Sequence, residues 1–208
     1  GDSKVIRPDF LKRYCEIVKS SEVQVICGAS VYQSDKPAKS HYLRWKYSTI
    51  RESKSLEERK QNPNLGFKTN NFIIQREILK RIKFNESIEG YGHEDSLFGF
   101  DLKKSKVKIE HVDNPVLNYS LDDNVTFLKK TEEGVRNLKH VLHLLDYDEQ
   151  FMKSSKLSRV YVFMERFKIR RPIYFLISIV HPINRFFLVK GLFVLPMFDL
   201  YKLKYMLR

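Results

Sequence analysis

The run Ser87-Ile-Glu-Gly-Tyr-Gly-His-Glu-Asp-Ser-Leu-Phe-Gly-Phe-Asp101 sets Gly90 and Gly92 directly before an acidic pair, Glu94 and Asp95, at the start of an expected helix. Two readings stand for the pair. Carboxylates at a helix N-terminus accept hydrogen bonds from free backbone N–H groups and complement the dipole. A carboxylate presented from a glycine-flanked turn also reaches a substrate hydroxyl and removes its proton as a general base. His93, which abuts the pair, either orients that base or contacts phosphate, or is a histidine of a surface turn. His140 and His143 stand three apart in Val-Leu-His-Leu-Leu surroundings, where packing on a helix is the plainer reading than a metal site. Cys15 and Cys27, without a CxxC or Cys/His cluster, imply buried, reduced thiols rather than a disulfide framework or structural zinc.

These groups must be held by an α/β arrangement. Pro8 followed by Phe10, Leu11, Tyr14, Cys15 and Val18 predicts a helix ending near Ser20. Val23 to Cys27, bounded by Gly28, predicts a buried strand. Residues 33–39 read as a turn. The charge-rich stretch from His41 to Lys60 predicts one long, partly exposed helix stopped by Asn62-Pro63-Asn64. Strands are expected over Phe67–Gln75 and Lys106–His111, and helices over Arg76–Ile82 and Val125–Leu145. Strands and helices interleave, which excludes a pure bundle or a β-sandwich.

The chain has 208 residues, 42% hydrophobic and 30% charged, enough for one sizeable core. Its net charge of +13 implies an anionic partner. That charge is uneven: residues 1–150 carry +3, and residues 151–208 carry +10 together with 12 of the 27 aromatic side chains. The longest uncharged run of this tail, Pro172 to Asn184, has 13 residues, short of the ~18 to 20 that cross a bilayer. Apolar runs bracketed by Arg166, Lys168, Arg170, Arg171, Arg185 and Lys190 suit a helical segment lying in a membrane interface. Packing of the tail on the rest of the chain is the other reading. No zinc-finger, RNP or helix-turn-helix signal points to nucleic acid, and no nucleic-acid partner is expected.

Three segments carry a resemblance. Phe67-Lys-Thr-Asn-Asn-Phe-Ile-Ile-Gln-Arg-Glu, followed by Gly90-Tyr-Gly-His-Glu-Asp-Ser-Leu-Phe-Gly, resembles the acceptor-side half of family 2 glycosyltransferases of the GT-A fold. The opening Gly1-Asp-Ser-Lys-Val-Ile-Arg-Pro-Asp-Phe-Leu11 is similar to the segment that begins inside that family's DxD motif, with Asp2 as its second Asp. The resemblance covers roughly residues 1–125. It implies a partial GT-A-like mixed sheet flanked by helices over residues 1–150, followed by the membrane-interfacial tail at 151–208. It further implies that a nucleotide-binding half precedes Gly1, so that residues 1–208 alone are expected to be inactive.

The activity implied is inverting transfer of a sugar from a nucleotide-sugar donor to a glycan or lipid-linked acceptor, in cell-surface polysaccharide synthesis at the cytoplasmic face of the membrane. Mg²⁺ or Mn²⁺ would stabilise the departing diphosphate. On this resemblance Asp95 is the base and Glu94 binds the acceptor sugar. Asp2 is a metal ligand, and His111 either a second ligand or a hydrogen-bonded histidine. Asn70 and Asn71 face sugar hydroxyls or form a turn, and Trp45, with Tyr47, stacks on a sugar or packs in a core. The alternative from another class is a non-catalytic basic module that binds an anionic membrane or nucleic acid.

Overall fold

The structure, a computed structural model, describes residues 3–20, 22–192 and 194–208. It is α/β, with two small mixed sheets flanked by helices. In chain order the first elements are β1 (Ser3–Val5), α1 (Phe10–Ser20), β2 (Val25–Cys27), β3 (Ser30–Tyr32), α2 (Tyr42–Tyr47) and α3 (Leu56–Gln61). Then come β4 (Phe72–Ile74), α4 (Arg76–Arg81), α5 (Glu94–Lys104), β5 (Ile109–His111) and β6 (Val116–Asn118). Helices α6 (Asn124–Leu144), α7 (Glu149–Lys153), α8 (Lys156–Arg166), α9 (Arg170–Val189) and α10 (Val194–Leu207) complete the chain. Two compact units result: Gly1–Asp35, Ser48–Asn85 and Glu94–Leu121 in the first, and Lys36–Tyr47, Glu86–His93 and Asp122–Arg208 in the second.

In the first unit β2 is central, antiparallel to β4 and parallel to β5, with Cys27 opposite Phe72 on one side and beside His111 on the other. The second sheet has β6 between antiparallel β1 and parallel β3. All three residues of β2 are buried, as its β-branched run requires of a strand covered on both faces. Alternation sends Val25 and Cys27 to one face, where they join Phe67, Ile78, Ile82, Phe98, Leu102 and Val107 in a core.

The chain leaves β2 through Gly28, where the backbone of one segment crowds three others. A Cβ there would lie 2.2 Å from Asn71 Nδ2 and 2.5 Å from both the Asn114 carbonyl oxygen and the Tyr14 hydroxyl. Only glycine fits such an approach.

The second unit is built on α6, which Asp123 caps by accepting from the Val125 and Thr126 N–H groups. Buried Asn124 accepts from the Leu43 N–H at 3.0 Å and donates to the carbonyls of Lys39 at 2.8 Å and Val189 at 3.0 Å. One amide thus ties α2, the turn before it and the end of α9 to α6. Around it pack Leu43, Phe127, Leu128, Leu188, Val194, Phe198 and Tyr201.

Three expectations change. The single helix expected over His41–Lys60 is broken into α2, a wide turn at Ser48–Glu52, and α3. The cause is local: Ser55 and Glu58 form a reciprocal capping box that starts a new helix. The strands expected over 67–75 and 106–111 shrink to three residues each, and Lys106 sits at positive φ. The tail's 13-residue uncharged run lies inside a 20-residue helix that continues through Pro182, long and apolar enough to cross a membrane by length and composition.

Glycines of opposite surroundings give opposite outcomes on substitution. Gly28→Ala is expected to lower unfolding stability by about 3 kcal/mol, the upper range for overpacking. Gly134→Ala, inside α6 with its nearest neighbour at 3.6 Å, is expected to raise it by about 0.5 to 1 kcal/mol. Urea denaturation of the two variants checks both signs.

Candidate active site

Helix α5 begins at the acidic pair, in its first turn as the dipole favours. Asp95 does not cap its own helix. Its Oδ1 accepts from the backbone N–H of Thr69 at 3.2 Å, and its Oδ2 lies 3.9 Å from Lys68 Nζ. The side chain is 17% exposed, whereas that of Lys68 is 56% exposed. Glu94 is half-buried, and its Oε2 is buried with no hydrogen-bond partner. A buried carboxyl oxygen without a donor is costly unless a ligand supplies one.

The turn that leads into α5 belongs to the second unit. Gly90, Gly92 and His93 all adopt positive φ, at 74°, 99° and 73°. For a histidine that is an uncommon backbone state, held by its surroundings. Asn137 of α6 fastens the turn, its Nδ2 lying 2.9, 3.1 and 3.2 Å from the carbonyls of Glu89, Tyr91 and Gly92.

Asn70 and Asn71 part company. Asn70 is exposed, with its Nδ2 donating to Ser30 Oγ at 2.6 Å. Asn71 is buried: its Oδ1 accepts from the Tyr14 hydroxyl at 2.6 Å, and its Nδ2 donates to the carbonyls of Ala29 at 2.9 Å and Asn114 at 2.8 Å. Both amide protons are spent on the fold, so Asn71 has no donor for a sugar hydroxyl. Burial pushes the Tyr14 hydroxyl up to about 12, which keeps it a donor to Asn71.

His111 adopts the hydrogen-bonded alternative. It is buried at the end of β5, with Arg59 Nη1 3.0 Å from its Nδ1 and the Pro63 carbonyl oxygen 2.8 Å from its Nε2. Arginine only donates, so Nδ1 accepts and Nε2 carries the proton. Both ring nitrogens are used. Burial first, then the charges of Arg59 and Lys54, hold the imidazole below its ordinary value, against an opposing hydrogen bond to Pro63. Arg59 also donates through Nη2 to the Val112 carbonyl at 3.2 Å.

Asp2 lies outside the described residues. Among the described residues no group of three or more His, Cys, Asp or Glu side chains gathers as a metal site.

Trp45 and Tyr47 belong to the second unit. Trp45 stacks on Tyr42, centroids 5.4 Å apart. Tyr47 packs edge-on to Phe198 at 5.1 Å and against Phe127, a core position. His140 meets Ser87 Oγ at 3.0 Å, and His143 meets the Tyr147 hydroxyl. Both cysteines are free, but Cys15 is exposed. Cys27 is buried, its thiol pushed up to about 12 by burial, which leaves it no nucleophile.

Arg59 and Lys68 carry much of this geometry. Lys68 is marked in the sequence by its place inside the Phe67–Glu77 segment. Arg59 looks like one more cation in a charged run.

His111 supplies a pH dependence. Its folded value is depressed, so its contribution is complete well above the ordinary 6.5 and is lost as pH falls through 6.5 toward the lower folded value. His111→Gln is expected to flatten the stability profile below pH 6.5 and to cost about 2 kcal/mol at neutral pH, because Arg59 loses an acceptor. Urea midpoints measured across that pH range check both effects.

No family model, no curated protein and no solved structure matches the chain.

Proposed function

We propose that this chain forms the acceptor side of an inverting, GT-A-type glycosyltransferase that moves a sugar from a nucleotide-sugar donor to a glycan or lipid-linked acceptor. One observation carries the reading: the Thr69 N–H to Asp95 Oδ1 hydrogen bond. It joins two of the segments that resemble family 2 glycosyltransferases, Phe67–Glu77 and Gly90–Gly99, across 26 residues of chain. A mixed sheet flanked by helices agrees with that fold.

In the reaction the acceptor hydroxyl gives its proton to Asp95 Oδ2 as its oxygen forms a bond to the anomeric carbon. The bond from that carbon to the diphosphate oxygen breaks, and the nucleoside diphosphate leaves with the electron pair. A single displacement inverts the anomeric centre. Asp95 suits the role because Oδ1 is pinned by a backbone donor while the side chain stays partly exposed. Glu94, with its unpartnered Oε2, is placed to accept from a second acceptor hydroxyl. The divalent ion that the resemblance implies, Mg²⁺ or Mn²⁺, would neutralise the leaving diphosphate.

Asp95→Asn in the complete natural polypeptide tests the proposal. The asparagine Oδ1 still accepts from Thr69, so thermal stability should be nearly unchanged. With a panel of uridine and guanosine diphosphate sugars, kcat is expected to fall about 100- to 10,000-fold with little change in donor KM. Full turnover by this variant would remove Asp95 as the base. Glu94→Gln is expected to raise the acceptor KM more than it lowers kcat.

A further inference from the structure

Helix α9 is apolar on both sides, yet only one side is covered. Ile177, Asn184 and Leu188 are buried against the rest of the second unit. On the opposite face Phe175, Leu176, Ile179, Ile183 and Phe186 recur at helical spacing and are 57% to 66% exposed. A helix that is apolar all round belongs inside something. A continuous exposed apolar stripe marks an interaction surface.

Charge identifies what covers it. From Arg166 to Phe198 the chain has six basic residues and no acidic one. Arg171, Arg185 and Lys190 are all exposed, at the start, along the side and at the end of the helix. Lys190 Nζ lies 5.9 Å from the Phe186 ring, so a cation sits over the end of the stripe itself. A second copy of the face would set these cations against one another, which disfavours self-association. An anionic lipid surface satisfies both parts, taking the rings and branched chains into its acyl boundary and the cations among its headgroups.

The same contacts argue against a spanning helix. Asn184 Nδ2 donates to the Met197 carbonyl at 3.1 Å, the His181 ring stacks on Tyr201 at 5.3 Å, and Leu188 lies in the core with Leu43 and Phe127. Lipid cannot surround a helix whose other face is part of a protein core. We infer that α9 is a monotopic anchor, which docks the second unit on an anionic bilayer by the Phe175–Phe186 face with the helix axis in the membrane plane.

The test uses the purified chain and extruded vesicles, either phosphatidylcholine alone or phosphatidylcholine mixed equally with phosphatidylglycerol. No sugar donor is needed, so its outcome is separate from that of the transferase proposal. Sedimentation with the mixed vesicles is expected, falling with added salt and weak with phosphatidylcholine alone. Each of Arg185→Gln and Lys190→Gln should weaken binding about fivefold. Ile179→Asp combined with Ile183→Asp should abolish it while leaving the circular-dichroism melt intact, since both side chains are exposed. A tryptophan placed by Ile179→Trp in a Trp45→Phe background should be quenched by brominated acyl chains. Binding that survives the double Asp variant, or a tryptophan that brominated lipid does not quench, overturns the inference. Failure to bind vesicles, with a dimer in solution that the double Asp variant dissociates, would assign the face to a second copy instead.

Discussion

Buried backbone carbonyls at the ends of three-residue strands must find donors, and in the first unit side chains supply them. The ladders beside β2 and β6 are too short to satisfy the loops that follow them. Asn71 reaches the carbonyls of Ala29 and Asn114, Asn114 reaches that of Phe10, and Arg59 reaches that of Val112. The loops around the end of β2 are therefore tied to one another by side-chain hydrogen bonds, and Gly28 is left no room for a methyl group. The candidate site depends on this lattice. Asn71 and Thr69 share one loop, so the bonds that fix Asn71 also fix the Thr69 N–H that meets Asp95.

Periodicity made the amphipathic and buried elements legible. The helix after Pro8, the β-branched strand before Gly28 and the long helix after Asp123 stand where their patterns put them, because each is decided by local residues facing one core. The break within residues 41–60 is written only in Ser55-Leu-Glu-Glu58, a capping-box signature inside a run whose charges otherwise suit one helix. Sheet order was not legible: β6 pairs with β1 and β3 across long separations that no local pattern records. The adjacent asparagines show the same limit at one site. Asn70 and Asn71 are chemically identical, and only the turn before β4 leaves one exposed and the other buried. Arg59 is the extreme case, since its burial follows from carbonyls gathered by distant segments.

The second unit obeys the same rule with a different remainder. Asn124 closes its backbone account with three bonds, and Glu132 accepts from the buried Tyr201 hydroxyl. Those bonds are made within the unit, while apolar surface on α9 is left over. In the sequence that excess appeared only as an aromatic, basic tail. The fold separates it into a buried stripe that belongs to the core and an exposed stripe that does not. An amphipathic helix in water would place its charges where Phe175 and Ile179 stand. Here the charges instead flank the apolar face, the arrangement suited to a boundary between a low-dielectric phase and an ionic one.

Two carboxyls at one helix start can do different work only if their surroundings differ, because the dipole favours both equally. Here the difference is in hydrogen bonding. Asp95 has a backbone donor on one oxygen, which fixes the plane of the carboxyl and so the direction in which the other oxygen points. A side-chain donor in that place would carry its own torsional freedom; a peptide N–H does not. Lys68 stands near the second oxygen at 3.9 Å, beyond a hydrogen bond, on an exposed and flexible stem that can swing aside. In the proposed reaction the anchored Oδ1 would leave Oδ2 as the oxygen that takes the proton. Glu94 has no such anchor on its buried Oε2, which makes it the carboxyl that waits for a donor.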